Sequence, residues 1–223
     1  MSKFGKNHIV VILLFATDSI FGQGIRFGVF FDPAVTWWKS DVKDVTVEKA
    51  RLGFDFGMSA DYYFAKNYAF ATGISLFNMG STLKYTHSDF VLHTKDEDIP
   101  VEPGGTVKYR IQYVKIPVAL KFKTHRIGRF VYSTHLGFDP MMRITTRVDL
   151  NDANNHLKNL TATGETQLFN LGWHFGIGAQ YSLGGEVAVF GGLSFMNTFV
   201  DITKSAHDEI TSNNLLFRIG IMF

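Results

Sequence analysis

Cysteine is absent from the 223-residue chain, which excludes a disulfide framework and a thiolate metal site. The chain also lacks a strong charge of either sign, because 22 Lys and Arg residues against 20 Asp and Glu residues give a net charge of +2. This balance does not indicate a nucleic-acid partner. Long hydrophobic runs are missing as well, and a membrane-spanning helix needs about 20 apolar residues. Any residence in a membrane must therefore come from β-strands.

The N-terminus has the pattern of a secretory signal peptide. Lys3 and Lys6 precede the short apolar run IVVILLFA at residues 9–16, as a basic segment precedes the apolar core of a signal peptide. We predict a signal peptide over residues 1–22, cleaved after Gly22, and one domain over residues 23–223. The alternative is a buried N-terminal helix.

Phenylalanine and glycine are abundant, at 22 and 21 residues, and they alternate along the chain. In the segment LFNLGWHFGIGAQYSL, residues 168–183, every second side chain is large and apolar and the others are small or polar. Because successive side chains of a strand point to opposite faces, this pattern predicts a β-strand with one apolar and one polar face.

The same alternation recurs in seven other segments. We predict eight strands, near residues 24–38, 51–64, 68–84, 107–123, 129–147, 168–183, 187–203 and 212–223. Tight turns and long polar loops alternate between them, as in outer-membrane barrels with periplasmic turns and external loops. The predicted fold is all-β: an eight-stranded antiparallel up-and-down transmembrane β-barrel of a bacterial outer membrane, with both chain ends periplasmic.

The polar face carries charges of both signs, and we predict that it lines a filled polar interior. An eight-stranded barrel has room for little more than its own interior side chains, so large aromatics on every strand would overfill it. A Lys or Arg facing the bilayer midplane costs about 2–4 kcal/mol. The apolar face should therefore meet lipid, while the interior holds a charge network of Arg26, Asp32, Asp55, Asp61, Lys115, Lys121, Asp139 and Arg218 together with two histidines, His135 and His174.

Aromatic residues gather near the predicted strand ends, where Tyr and Trp prefer the membrane interface. Trp37 and Trp38 are expected near the external rim. We assign the membrane girdle to Trp37, Tyr62, Phe64, Tyr68, Phe130, Tyr132 and Tyr181. The final strand, LLFRIGIMF, closes on Phe223 and resembles the assembly signal of outer-membrane barrels.

The segment YVKIPVALKFKT, residues 113–124, resembles the central strand of PorT-like outer-membrane β-barrel proteins. RFGVFFDPAV, LGFDFGMSADYYF, GIGAQYSL and the terminal Phe occupy the places expected of that family. The resemblance implies an integral outer-membrane protein and supplies no catalytic residues to carry over to this chain. Its partners would be outer-membrane lipid, the barrel-assembly machinery during biogenesis and a surface or secretion-system partner, since the family name comes from a member linked to protein secretion.

Several polar side chains could have a catalytic or metal-binding role, and for each the alternative is a structural role. Ser133, His135 and Asp139 suggest Ser-His-Asp chemistry but match no motif. His87 and Ser88 in the segment THSD provide weak support for an enzyme acting on lipid. The acidic run Asp96, Glu97 and Asp98 resembles a solvated loop more than a cation site. We therefore predict a non-enzymatic barrel with no catalytic, cofactor or metal site; a lipid-modifying barrel enzyme and a soluble ligand-binding barrel are the alternatives.

One local irregularity is also predicted. Pro117 lies inside the fourth strand and has no N–H to donate to a sheet ladder, so a bulge or break should occur there.

Overall fold

The computed structural model describes residues 24–41, 45–86, 90–204 and 210–223. The predicted signal peptide, together with His87 and Ser88, lies outside the described residues. All described elements are strands except one short 3-10 helix, Thr163–Glu165. No helix in the described part of the chain is long and apolar enough to cross a membrane.

Fourteen strands are present in these ranges. They are β1 (Ile25–Ser40), β2 (Val45–Lys49), β3 (Arg51–Ala65), β4 (Tyr68–Met79), β5 (Thr82–Tyr85), β6 (Val91–His93), β7 (Asp98–Pro100), β8 (Thr106–Lys115), β9 (Val118–Lys123), β10 (Phe130–Asn151), β11 (His156–Thr161), β12 (Phe169–Gly184), β13 (Val187–Thr198) and β14 (Ile210–Met222).

Antiparallel pairing joins twelve of these strands into a sheet that returns on itself. The long strands follow one another as β10, β12, β13, β14, β1, β3 and β4. Both β8 and β9 pair with β4 on one side and with β10 on the other, which closes the ring. The all-β, antiparallel, up-and-down, barrel-like architecture predicted from the sequence is therefore confirmed.

The strand count differs from the prediction because two predicted strands are interrupted. The break between β8 and β9 falls at Ile116 and Pro117, as predicted, and the Ile116 amide donates instead to the Pro140 carbonyl at 3.0 Å. The unpredicted break between β4 and β5 falls at Gly80, where a Cβ atom would lie 2.1 Å from the Tyr109 carbonyl oxygen. The backbone of β8 approaches so closely there that only glycine fits.

The long connections carry further strands that the sequence analysis did not predict. The hairpin of β6 and β7 forms a separate two-stranded sheet, while β2 and β11, together with β5 from the interrupted third strand, extend the main sheet at its long-loop end. We call this end, comprising β2, β5, β6, β7, β11 and the 3-10 helix, the platform.

The two faces of the ring have opposite chemistry. The apolar side chains point outward: Phe175 is 47% exposed and Ile219 is 61% exposed, whereas Asp55 on the opposite phase is fully buried. Alternating burial along β12 and β14 repeats this division residue by residue. The exposed apolar band is what a lipid-facing surface requires.

The interior is polar in only one part, which corrects the prediction of a polar filling throughout. Toward the long-loop end, the inward positions of β8 carry Val107, Tyr109, Ile111 and Tyr113, and all four are buried. They join Trp38 of β1 and other buried residues in a continuous apolar cluster, which we call the apolar plug. Burial of these large side chains supplies hydrophobic stabilisation inside the ring.

Candidate functional site

The polar part of the interior lies between the apolar plug and the short turns, and four acid–base pairs cross it. The pairs are Arg218 Nε with Asp32 Oδ2 at 2.9 Å, Lys115 Nζ with Asp55 Oδ2 at 2.5 Å, Lys121 Nζ with Asp61 Oδ2 at 2.5 Å, and His174 Nδ1 with Asp139 Oδ2 at 2.7 Å.

The small inward residues of β4 explain how two of these pairs form. Lys115 on β8 and Lys121 on β9 both reach aspartates on β3, although β4 lies between those strands. In the polar part of the interior, the inward positions of β4 are Ala69, Ala71, Gly73 and Ser75, whereas Phe77 and Met79 further along belong to the apolar plug. Because these side chains are short, the lysine chains can pass over β4 to the carboxylates beyond it.

The remaining member of the predicted charge network, Arg26, forms no ion pair within the described residues. It lies nearer the short turns, where its guanidinium donates to the backbone carbonyl of Glu186. The structure thus brings seven of the eight predicted charges into pairs, one with His174, and leaves Arg26 apart.

The two interior histidines lie next to each other, with ring centroids 5.3 Å apart. His174 bonds to Asp139, whereas Nε2 of His135 is buried without a hydrogen-bond partner in the described structure. The Ser-His-Asp arrangement considered from the sequence does not form, because Asp139 is bonded to His174 rather than to His135. A nucleophilic triad needs a base held by the acid and touching the serine.

A small cavity of about 70 Å³ lies beside the histidines and is also lined by Lys115, Lys121 and Arg218. A water molecule needs roughly 10–15 Å³ of such volume, so the cavity has room for a few waters beside the unpaired histidine nitrogen. It is far smaller than the usual pocket for a small-molecule ligand, roughly 300–1,000 Å³.

The acidic run at the platform forms a turn rather than a metal site. His93 Nδ1 lies 2.9 Å from Asp98 Oδ1, and the Thr94 hydroxyl donates to the Glu97 carbonyl. The hydrogen bond and the negative charge of Asp98 raise the pKa of His93 above its ordinary value of 6.5. No group of three His, Asp or Glu side chains in the described ranges could hold a metal ion.

The residues assigned to the girdle lie mostly at the short-turn end, in contact with one another. The ring of Tyr68 packs edge-on against that of Phe122, with ring centroids 5.5 Å apart, and the ring centroids of Phe130 and Tyr181 are 5.0 Å apart. Further exposed aromatics there are Tyr62, Phe64 and Tyr132.

The two tryptophans expected at the opposite rim differ. Trp37 packs against Phe195 at 6.3 Å. Trp38 is buried within the apolar plug against Tyr109, at 5.4 Å. Its expected place at the rim is therefore wrong, because Trp38 has the inward phase of β1.

The final residue takes part in joining the two ends of the described chain. The Phe223 amide donates to the Phe27 carbonyl at 2.8 Å, and the Phe27 amide donates back at 3.0 Å. These bonds continue the β1–β14 ladder to the short-turn end of the ring.

The similar solved structures include three proteins at low identity. Neisserial surface protein A (NspA) is 13% identical, with 88% of this chain and 95% of that chain covered and a TM-score of 0.46. The attachment invasion locus protein Ail of Yersinia pestis is 12% identical, with 90% of this chain and 99% of that chain covered and a TM-score of 0.42. The outer membrane protein OprG from Pseudomonas aeruginosa is 12% identical, with 90% of this chain and 95% of that chain covered and a TM-score of 0.44.

A comparison with curated proteins found no significant match. A family model described as the outer membrane protein beta-barrel domain matches residues 19–215. That span includes every other strand of the ring in full but only residues 210–215 of β14, and it includes both partners of three of the four interior pairs. The chain therefore belongs to the outer membrane protein beta-barrel domain family and is a protein of the bacterial outer membrane.

Proposed function

We propose that this protein is a non-enzymatic, eight-stranded transmembrane barrel without a channel, which acts as a binding or structural component through its platform. In this proposal β8 and β9 act as one membrane strand interrupted at Pro117, so the ring has eight members. The short-turn end, with both ends of the described chain, lies on the periplasmic side and the platform lies outside the cell.

The sealed interior is the observation that carries this proposal. Tyr109, Tyr113 and Phe77 are fully buried in the apolar plug, and the paired charges fill the ring below them. An eight-stranded barrel is just wide enough for its own side chains. This filling favours a solid support over a pore or a ligand carrier.

The platform supports a binding role because its loops are held together by hydrogen bonds. The Lys95 amide donates to the Thr161 carbonyl at 2.8 Å, and the His93 amide donates to Glu165 Oε1 at 2.7 Å. These bonds connect the β6–β7 hairpin and its turn to the end of β11 and to the 3-10 helix that follows. A surface ordered before binding loses less entropy when a partner binds.

The resemblance of residues 113–124 to PorT-like proteins suggests which partners to test first. For this reason we propose protein-secretion components as partners of the platform. Outer-membrane lipid is the solvent that surrounds the ring. The interior pairs, the girdle and the terminal Phe223 then serve assembly and stability rather than chemistry.

Two measurements test the proposal together. Purified full-length protein in planar bilayers should conduct no ions. In intact outer membranes, a photo-crosslinking side chain at Lys158 on the platform should form specific adducts, while one at Lys66 in the β3–β4 turn should not form the same ones. Stepwise ion conductance, or platform adducts with lipid alone, would contradict the proposal.

A further inference from the structure

The short-turn end of the ring carries an excess of positive charge. We define the short-turn mouth as residues 24–26, 65–68, 122–130 and 182–188. It contains Arg26, Lys66, Lys123, Arg126 and Arg129, with Glu186 as its one acidic side chain. This imbalance contrasts with the paired charges deeper in the ring.

Three of these cations surround one cavity. Arg26 reaches it from β1, while Arg126 and Arg129 reach it from the turn between β9 and β10. The cavity has a volume of about 250 Å³. Its other lining residues are Val131, Gln180, Ser182, Gly185, Glu186 and Ala188.

The arginines at this cavity have no acidic partner among the described residues. Arg26 donates to the backbone carbonyl of Glu186, while its Nε is buried without a hydrogen-bond partner. Nη1 of Arg129 donates to the neutral hydroxyl of Tyr181 at 3.2 Å. By contrast, Lys115, Lys121 and Arg218, deeper in the polar interior, each have an aspartate oxygen within 3 Å. The protein therefore supplies unneutralised donors around a space large enough for an anion.

The geometry points to a phosphate group as the ligand, and we propose that the cavity at the short-turn mouth binds one. The planar guanidinium forms paired hydrogen bonds with phosphate oxygens, which a single ammonium group cannot do. Arg26 and the two turn arginines approach the cavity from different elements, so one tetrahedral anion can contact more than one of them. The carboxylate of Glu186 on the wall would favour a hydrogen-bond donor on the ligand beside its phosphate.

The phosphate has two conceivable sources. The guanidinium carbon of Arg129 lies 6.0 Å from the ring centroid of the half-buried Tyr181, and tyrosines at strand ends mark the level of lipid headgroups. A phospholipid headgroup could therefore enter the mouth from the surrounding leaflet, and a soluble phosphorylated molecule could enter along the axis of the ring. Both sources present the same chemistry to the arginines.

The test compares the wild type with two variants of the full-length protein. R126Q/R129Q removes two cavity arginines, while K66Q removes one cation from the same mouth without touching the cavity. Heat-modifiable migration in gels checks that all three proteins fold. In maltoside micelles, which contain no phosphate group, titration with inorganic phosphate at constant ionic strength measures the soluble arm. Native mass spectrometry of protein released from mixed phosphatidylglycerol and phosphatidylcholine measures the lipid arm.

We expect phosphate binding, or selective retention of phosphatidylglycerol, that falls at least tenfold in R126Q/R129Q and less than twofold in K66Q. Binding in the lipid arm alone assigns the site to a headgroup, and binding in the soluble arm alone assigns it to a soluble ligand. Absence of binding in both arms would overturn the proposal. An equal loss in K66Q would also overturn it, because the attraction would then be a diffuse effect of charge rather than a site.

Discussion

The Lys115–Asp55 pair should be costly to break and inexpensive to replace as a unit. The two charged atoms lie 2.5 Å apart, and the side chains are 5% and 0% exposed. Lys115 has reached across β4 to make this contact, and Oδ1 of Asp55 has no hydrogen-bond partner in the described structure. Lys115→Met therefore leaves a buried carboxylate whose remaining neighbours do not satisfy it.

The magnitude follows from two opposing effects. At an effective dielectric constant of about 20, unit charges at this distance attract by about 7 kcal/mol. Burial of the two ions costs several kcal/mol each, which offsets most of that attraction. Loss of one partner removes the attraction but leaves the other ion buried, so K115M should cost about 3–5 kcal/mol of unfolding free energy. The double variant K115M/D55L buries neither ion and should lie within about 1 kcal/mol of the wild type or above it.

Urea unfolding in lipid vesicles, followed by tryptophan fluorescence, measures these free energies. D41N provides the matched control, because Asp41 pairs with Lys39 at 2.8 Å but both side chains are more than half exposed. That variant should change stability by less than about 1 kcal/mol. A K115M effect as small as that of D41N, or a double variant less stable than K115M, would refute the reasoning.

Three further predictions test the two faces and the platform. I219R should cost about 2–4 kcal/mol of unfolding free energy in vesicles, whereas I219L should cost less than about 1.5 kcal/mol; equal effects would place residue 219 away from hydrocarbon. G57A should destabilise by about 1–3 kcal/mol, because its Cβ would lie 2.3 Å from the Ile74 carbonyl oxygen, while the Cβ of G191A would meet nothing closer than 3.6 Å; similar thermal stabilities for the two variants would contradict the close approach of β4. NMR titration should show a His93 pKa above 6.5 that falls in D98N, since Asp98 is the main cause of the rise. Because the folded state raises this pKa, the contact stabilises the β6–β7 hairpin at low pH and the benefit is lost as pH rises through the folded value; a His93 pKa unchanged in D98N would refute the contact.

The alternation of side chains was sufficient to predict the ring and its two faces. Period-two patterns depend only on strand geometry, so they identified the outward Phe175 and the inward Asp55 without knowledge of any contact. Pro117 marked a strand break for an equally local reason, the missing N–H.

The apolar plug was missed although its signal is present in the sequence. Tyr109, Ile111 and Tyr113 have the same phase as Lys115, and that phase alone predicts an inward direction. The interior was inferred to be polar from its charged side chains, and these lie in only one half of each strand. Trp38 was assigned to the rim because Trp prefers the membrane interface, although its phase in β1 is inward.

Other features depend on contacts between distant residues and were beyond local patterns. Lys115 and Lys121 reach β3 only because β4 contributes small side chains between them. The break at Gly80 depends on the approach of Tyr109 on β8, 29 positions away in the numbering. The strands of the platform and the arginines of the short-turn mouth meet across loops whose register the sequence does not specify.

Spin-label accessibility along β14 is the most direct test of the central claim that the apolar face meets lipid. The chain has no cysteine, so single variants from L215C to I221C can each carry one label without background. In vesicles, labels at residues 215, 217, 219 and 221 should collide readily with oxygen dissolved in the bilayer, and those at 216, 218 and 220 should be shielded. The reverse alternation, or a period near 3.6 residues, would contradict the account.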